Sequence, residues 1–288
     1  MSFLYLFILV LVSGMVTVIV KFYNKRNEGA GNASGLYNIL FPVGAAITYF
    51  IAYSSELAFE PRVLIYSLLY GFFYTLFTIG MSGSIRVGIS SITALVKQTA
   101  LVGVSIWGFF FFSVPVTVNA VIGVSLIFVS LCLCLIEKGK KTVKKDFRLP
   151  FYLSLIAMGN IGCPITHKYL LIHFEGKHGY MMLFFAVLFA SAFSMLSSLK
   201  GSKKGWGKIT VSSGFLPILA GVCSAMAGIM QTILINKGVS TSVIYPTFAV
   251  GGLMVTLIFS IFAFNERLRT AQWYGIAVGA VALVLLNI

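Results

Sequence analysis

Long apolar stretches dominate this 288-residue chain, and about ten of them, each of about 20 residues, follow one another from end to end. A helix of that length crosses the roughly 30 Å hydrocarbon core of a bilayer. Because lipid offers no hydrogen bonds to an exposed backbone, such stretches have to be helical. We therefore predict an all-α membrane protein with ten transmembrane helices. The predicted spans are Phe3–Val20, Ser34–Tyr53, Val63–Met81, Ile89–Phe112, Val116–Ile136, Pro150–Thr166, Tyr180–Ser198, Gly214–Ile235, Ser240–Phe264 and Ala271–Leu286.

The composition agrees with lipid as the main solvent. Hydrophobic residues make up 59% of the chain and charged residues only 10%, whereas soluble domains carry about 25% charged residues. The first apolar run has neither a basic start nor a cleavage site, so we expect an uncleaved first span. We interpret the cysteines as buried thiols, with disulfides or metal ligation as the alternatives. They are Cys132, Cys134, Cys163 and Cys223.

The basic residues predict the orientation in the membrane. With ten spans, sixteen of the 21 Lys and Arg residues fall in the loops of one side, and four fall on the other side. Positive charge is retained in the cytoplasm. We therefore expect a multi-pass protein of the cell membrane with both termini outside. The remaining basic residue, Lys97, belongs to neither side, and the net charge of +14 does not indicate nucleic-acid binding.

An internal repeat divides the chain into two halves. An offset of 150 residues superposes the Gly-Ile-Ser-Ser that begins at Gly88 on the Gly-Val-Ser-Thr that begins at Gly238, and Gly71 on Gly221. We predict one five-helix repeat over residues 1–136, a basic cytoplasmic linker over 137–149 and a second repeat over 150–288. Because five is odd, the two repeats have to be inverted, an arrangement that builds transporters with a central site.

Three segments of the second half resemble a known family. They are Gly238-Val-Ser-Thr-Ser-Val-Ile-Tyr-Pro246, Phe264-Asn-Glu-Arg-Leu268 and Gln272-Trp273-Tyr274-Gly275. They are similar to the second repeat of the EamA-like branch of the drug/metabolite transporter superfamily. The first half departs from that pattern, since Ser113-Val-Pro stands where the family often has Glu-Arg. The resemblance implies a secondary transporter with ten helices in two repeats of five.

Lys97 is the most informative single residue. It lies about eight residues into the fourth span, roughly 12 Å deep at 1.5 Å per residue, where a cation costs at least about 2.5 kcal/mol. None of the seven acidic residues is placed in the middle of a span. The ammonium either faces a wet cavity and attracts an anionic substrate group, or it snorkels or bonds backbone carbonyls. The resemblance adds that nucleotide-sugar and sugar-phosphate branches of the superfamily use an equivalent lysine for phosphate.

Other polar side chains inside the spans complete the predicted site. Each is also compatible with an interfacial or core position, or with hydrogen bonding between helices. Pro246 is predicted to bend the ninth span, because proline frees a carbonyl one turn back, and packing is the alternative role. The run from Gly159 to Pro164 is predicted to break the sixth helix. The substrate-binding candidates are Lys97, Gln98, Tyr70, Tyr74, Trp107, Asn160, Tyr245 and Thr247.

These features predict a secondary transporter for a small polar, anionic or zwitterionic metabolite, working by alternating access between the third, fourth, eighth and ninth spans. The alternative is a multidrug or aromatic-compound exporter with a mainly aromatic site. An enzyme is not expected, since the chain has one Asp and no phosphate-binding loop. No cofactor or metal site is expected either, although three histidines surround the loop after the sixth span. The expected partners are a small-molecule substrate and the bilayer, and the chain is compatible with a monomer.

Overall fold

Helices account for all the regular secondary structure that a computed structural model of the chain describes. The described residues are 2–27, 33–54, 59–87, 96–97, 103–104, 106–108, 110–111, 117–134, 148–201, 211–264 and 270–287. Within them the helices are α1 Ser2–Arg26, α2 Ala33–Tyr53, α3 Val63–Val87, α4 Val118–Cys134, α5 Arg148–His173, α6 Gly179–Gly201, α7 Val211–Asn236, α8 Thr241–Phe264 and α9 Thr270–Asn287.

These helices fall where apolar stretches were predicted. Six of the helices are long and apolar enough to cross a membrane, and they are α1, α2, α3, α5, α6 and α7. The prediction of an all-helical fold is confirmed for the described residues, and the six long apolar helices are compatible with the predicted multi-pass membrane protein. Between α3 and α4, the fourth predicted span is described only at 96–97, 103–104, 106–108 and 110–111, and those residues are helical. Residues 137–147 of the predicted linker lie outside the described residues. The last two residues of the linker, 148 and 149, already belong to α5.

The helices before the linker pack mainly on helices after it. Helix α3 lies against α5 and α6, whereas α7 lies against α1 and α2. Helix α2 also contacts α6, α1 also contacts α8, and α4 pairs with α9. The centre of the bundle is therefore a junction between the two halves of the chain.

Small residues set the close approach of these helices. Gly71 of α3 lies directly against the α6 backbone at Ala186, and Gly221 of α7 lies against the α2 backbone at Phe41. Neither site has room for a Cβ atom. In lipid, helix association depends on this kind of close packing rather than on hydrophobic burial.

One end of the bundle is sealed by a continuous hydrophobic cluster, and we call it the closed end. It is formed by the first turns of α1, α3, α6 and α8 and the last turns of α2, α5 and α7. The turn between α7 and α8 lies here, and Gly238 makes it with a φ of 78°, which favours glycine. The buried members of the cluster are Leu6, Leu9, Ala45, Tyr49, Val63, Leu170, Leu171, Met181, Met182, Leu183, Val187, Ala225, Ala227, Leu234, Ile235 and Ile244.

Candidate functional site

A group of phenol hydroxyls and one thiol meets at the central junction, and we call it the hydroxyl cluster. Its members are Tyr49 of α2, Tyr70 and Tyr74 of α3, Cys163 of α5 and Tyr245 of α8, which lie close enough to interact electrostatically. The rings of Tyr70 and Tyr74 stack with their centroids 6.3 Å apart, since residues four apart share one helix face. The Cys163 thiol donates to the Tyr70 carbonyl over 3.7 Å.

Two hydroxyls of the cluster are buried without a hydrogen-bond partner among the described residues, and they belong to Tyr74 and Tyr245. The Thr247 hydroxyl is also buried without a partner, but Thr247 follows Tyr245 by two residues on α8 and therefore lies on another face of that helix. Ser224 lies opposite the Tyr74 hydroxyl, but the pair lacks hydrogen-bonding geometry. More than nine in ten buried polar groups in proteins are paired, and each unpaired one costs about 1–3 kcal/mol. Two such hydroxyls in one cluster therefore make it the candidate site for a polar ligand.

Lys97 lies about one helical turn from the hydroxyl cluster, on the side away from the closed end. Its ammonium nitrogen is 6.0 Å from the centroid of the Phe77 ring, and its backbone carbonyl accepts a hydrogen bond from the Asn160 amide. Phe77 follows Tyr74 by three residues on α3, and Asn160 precedes Cys163 by three residues on α5, a rise of about 4.5 Å in each helix. No carboxylate pairs with Lys97 in the described part of the chain.

The fourth predicted span reaches the same region through Val104. This fully buried side chain packs with Tyr245 and Ala249 of α8, and Ile161 and Ile165 of α5 pack against the group. Lys97 and the hydroxyl cluster are thus neighbours, because α3 and α5 contribute residues to both regions. Val104 of the fourth predicted span also packs on Tyr245.

A row of aromatic rings leads from the other end of the bundle to the hydroxyl cluster, and we call it the aromatic row. Tyr23 of α1 lies 5.5 Å from Tyr37 of α2, and Tyr37 stacks on Phe41 at 5.3 Å. Phe41 then stacks on Tyr74 at 6.1 Å. The residues predicted from the sequence did not include Tyr23, Tyr37, Phe41 and Tyr49. The spacing of four between Tyr37 and Phe41 was the available signal, but it is also common in ordinary cores.

The structure brings together most, but not all, of the predicted binding residues. Trp107 is apart from the cluster, because its ring stacks on Phe111 at 4.1 Å and is 36% exposed on the surface of the bundle. Gln98 lies outside the described residues. Pro246 is buried in the second turn of α8 and, since proline has no N–H, leaves the Ser242 carbonyl without its helical donor.

The predicted break in the sixth helix is wrong. Helix α5 runs without interruption from Arg148 to His173 through Pro164. The glycines before Pro164 serve a different purpose, because Gly159 and Gly162 lie against Phe73 and Phe77 of α3, where no Cβ atom fits. They allow α3 and α5 to approach closely, and that approach places Tyr70 beside Cys163. The sixth predicted span therefore contributes Cys163 to the site in addition to the predicted Asn160, and the second contributes Tyr49, which was not predicted.

The remaining polar groups of interest lie elsewhere. No cluster of three or more His, Cys, Asp or Glu side chains that could hold a metal ion occurs in the described ranges. Cys132, Cys163 and Cys223 are free thiols. His167, which the sequence placed near a loop, is a buried residue of α5.

Comparison with known proteins identifies the fold but no family. No family model matches the chain, and no curated protein matches it. Twenty-eight chains of solved structures are similar to it. One of them, described only as the crystal structure of a protein, superposes with a TM-score of 0.73 over 99% of this chain and 95% of its own, with 14% identical residues. At that level of identity, the similarity shows a shared fold and does not extend to activity.

Proposed function

We propose that this chain is a secondary transporter of the EamA-like branch of the drug/metabolite transporters, moving a small polar, anionic or zwitterionic metabolite by alternating access. One observation carries the proposal: the buried hydroxyls of Tyr74 in the first half and Tyr245 in the second lack hydrogen-bond partners among the described residues, and both belong to the hydroxyl cluster at the junction of the halves. A ligand bound there contacts both halves, so that a movement of one half against the other can change its exposure.

The packing pattern supports two inverted repeats of five helices. When α1, α2, α3 and α4 are matched to α5, α6, α7 and α9, the pair α1–α7 corresponds to α5–α3, and α2–α7 corresponds to α6–α3. The pairs α2–α6 and α4–α9 map onto themselves. When the fourth predicted span is matched to α8, the α1–α8 pair corresponds to a pair formed by α5 and the fourth predicted span. The hydrogen bond between Asn160 of α5 and Lys97 of that span is such a contact. A twofold relation between the halves accounts for all these pairs.

Gly71 and Gly221 support the same relation at the level of residues. The offset of 150 superposes them, and both perform the same task, since each admits the backbone of a neighbouring helix where no Cβ atom fits. The neighbours are α6 and α2, which are themselves a matched pair.

The charges of the helices favour an anionic group on the substrate. None of the seven acidic residues falls within α1–α9 or within the predicted fourth span, whereas Lys97 does. The tyrosine hydroxyls of the cluster add neutral donors. An anion bound near Lys97 gains a charge-assisted hydrogen bond, typically worth about 1.5–3 kcal/mol.

Transport by purified protein in proteoliposomes tests this proposal. Phosphorylated metabolites and acidic or zwitterionic amino acids form the substrate panel, and Lys97→Ala is compared with Lys237→Ala, an exposed lysine in the turn after α7. We expect Lys97→Ala to reduce uptake of the preferred anion by about tenfold or more, as the loss of about 1.4 kcal/mol or more requires, and Lys237→Ala to leave it unchanged. Equal transport of every panel member by wild type and Lys97→Ala excludes the anion role.

The aromatic row favours a second candidate, an exporter of aromatic compounds. Stacked rings offer sliding contacts to a flat ligand, with each offset-stacked pair worth about 0.5–1.5 kcal/mol. Phe41→Ala interrupts the row between Tyr37 and Tyr74 without touching Lys97. Loss of aromatic-compound transport in Phe41→Ala, together with full transport in Lys97→Ala, would favour this exporter.

We further propose that the closed end faces the outside of the cell membrane and that both termini lie there. The four basic residues of the charge-poor side, Arg62, Lys168, Lys177 and Lys237, belong to this end or its turns. Labelling of Lys177→Cys in intact cells with a membrane-impermeant thiol reagent tests the orientation, and protection until the cells are broken would contradict it.

A further inference from the structure

The helices contain very few groups that can exchange a proton near neutral pH. No carboxylate lies within α1–α9, as judged by the positions of all seven acidic residues. Histidine is the side chain whose charge normally changes between pH 5 and 8. Of the three histidines, His167 is the one buried in the bundle, with 2% of its surface exposed.

The hydrogen bonds of His167 define its protonation pattern. Its Nε2 atom lies 3.2 Å from the Thr232 hydroxyl of α7. The same hydroxyl lies 2.9 Å from the Gly228 carbonyl, and when its single proton is donated there, it accepts from the Nε2–H of His167. With this arrangement Nε2 carries a proton in both charge states of the ring, and Nδ1 is the atom that gains or loses one.

The His167–Thr232 pair lies between the hydroxyl cluster and the closed end. Cys163 precedes His167 by one turn on α5, and Gly228, one turn before Thr232, lies against the Tyr49 hydroxyl. On the other side, Leu170 and Leu171 belong to the hydrophobic cluster that seals this end. The pair thus joins α5 to α7 about one turn from the hydroxyl cluster, on the side of the closed end.

We propose that His167 is the proton-binding residue through which external pH controls opening of the closed end. This inference rests on the proposed transport function and on the outward orientation of that end. In the closed arrangement, a second proton on the ring would create a buried cation. The charged group acting on the ring is Lys168 of α5, which is also positive, while Gly179 of α6 and Thr232 of α7 contribute no charge.

Separation of α5 from α7 lowers the cost of charging the His167 ring, because water then reaches the ring and solvates an imidazolium. Protonation therefore favours the open arrangement, and deprotonation favours the closed one. The sign follows directly: lowering the external pH raises the open fraction. If one proton is fully coupled to opening, the ratio of open to closed molecules changes by about tenfold per pH unit.

Electron spin resonance can measure this opening without knowledge of the substrate. Spin labels are attached at Lys177→Cys and Lys237→Cys, two exposed positions in the turns that follow α5 and α7. The four native cysteines are replaced by serine, and distances are recorded in lipid nanodiscs between pH 5.5 and pH 8. We expect a longer distance to gain population at low pH, to stay absent in His167→Gln, and to persist in the control His173→Gln, an exposed histidine of the same helix.

Thr232→Val provides a second test should His167→Gln fail to fold. It keeps the ring but removes the acceptor of the Nε2 proton, so the longer distance should already be populated at pH 8. A distance distribution independent of pH, or a pH response that survives in His167→Gln, overturns the role of His167. Parallel uptake assays separate the two proposals: identical pH profiles for wild type and His167→Gln overturn the coupling alone, whereas absence of uptake by wild type, with the distance response intact, overturns the transport function.

Discussion

Gly221→Ala tests the close packing between the two halves of the chain. Gly221 of α7 lies directly against the Phe41 carbonyl oxygen, and an added Cβ atom would also lie 2.9 Å from the Ala45 nitrogen. These are backbone atoms, so no rotation of a side chain can relieve the clash. Helices α2 and α7 have to move apart by roughly 1 Å, and a gap of that size forfeits up to about half of the contact energy across it.

The size of the effect is clearest against a matched control. Gly35 of α2 has nothing within 4 Å of an added Cβ atom. The gain in helix propensity is about 0.5–1 kcal/mol at Gly221, in the interior of α7, and smaller at Gly35, in the first turn of α2. The difference between the variants is therefore a lower bound on the overpacking cost, which is typically about 1–3 kcal/mol. Because the clash is with backbone, we expect about 3 kcal/mol, or about 6–12 °C in melting temperature for a chain of this size.

Thermal unfolding of the two purified variants in one detergent provides the measurement. Gly71→Ala should fall between them, since its Cβ atom would lie 2.7 Å from the Ala186 carbonyl oxygen. Equal melting temperatures for Gly221→Ala and Gly35→Ala would refute the reasoning, because they would mean that α2 and α7 are not in close contact at this residue.

Two further substitutions separate the site from the scaffold. Tyr245→Phe removes a buried hydroxyl without a partner, so the melting temperature of the ligand-free protein should not fall. Substrate affinity, measured by ligand-induced thermal shift, should drop by about tenfold, because one hydrogen bond of about 1.4 kcal/mol is lost. Reduced stability without a change in affinity would contradict this. Ser130→Ala removes a 2.6 Å hydrogen bond from α4 to the Gly275 carbonyl of α9. The loss should cost about 1 kcal/mol of stability and leave transport unchanged. Reduced uptake would instead mean that the α4–α9 pair takes part in the mechanism.

Hydropathy alone was sufficient to predict the helices that the structure describes, because in lipid the backbone has no other way to satisfy its hydrogen bonds. Hydropathy misplaced a helix end where polar residues lie in a well-packed helix. Helix α5 extends to His173, beyond the predicted end at Thr166, although His167 and Lys168 lower the hydropathy there. Leu170 and Leu171 are buried in the closed end and hold this last stretch, which is a tertiary effect that no local pattern contains.

The candidate site was predictable in part for a similar reason. Lys97, Tyr74 and Tyr245 are polar groups in apolar stretches, and such groups are conspicuous in a membrane helix. Tyr49 and Cys163 have the same character, but nothing local distinguishes a tyrosine that faces the junction from one that faces lipid. Their inclusion depends on which helices are neighbours, and that is set by glycine contacts between distant parts of the chain.

The two proposed cargoes share one restriction that follows from the absence of acids. An ammonium group bound at the hydroxyl cluster would be buried about one turn from Lys97 with no carboxylate in the helices to offset either charge. Like charges in a site of low dielectric oppose each other by several kcal/mol, more than a few tyrosine faces return. On either form of the proposed function, the preferred cargo is therefore an anion or a neutral aromatic molecule. A zwitterion would have to bind with its ammonium directed away from Lys97, towards the hydroxyl of Tyr245.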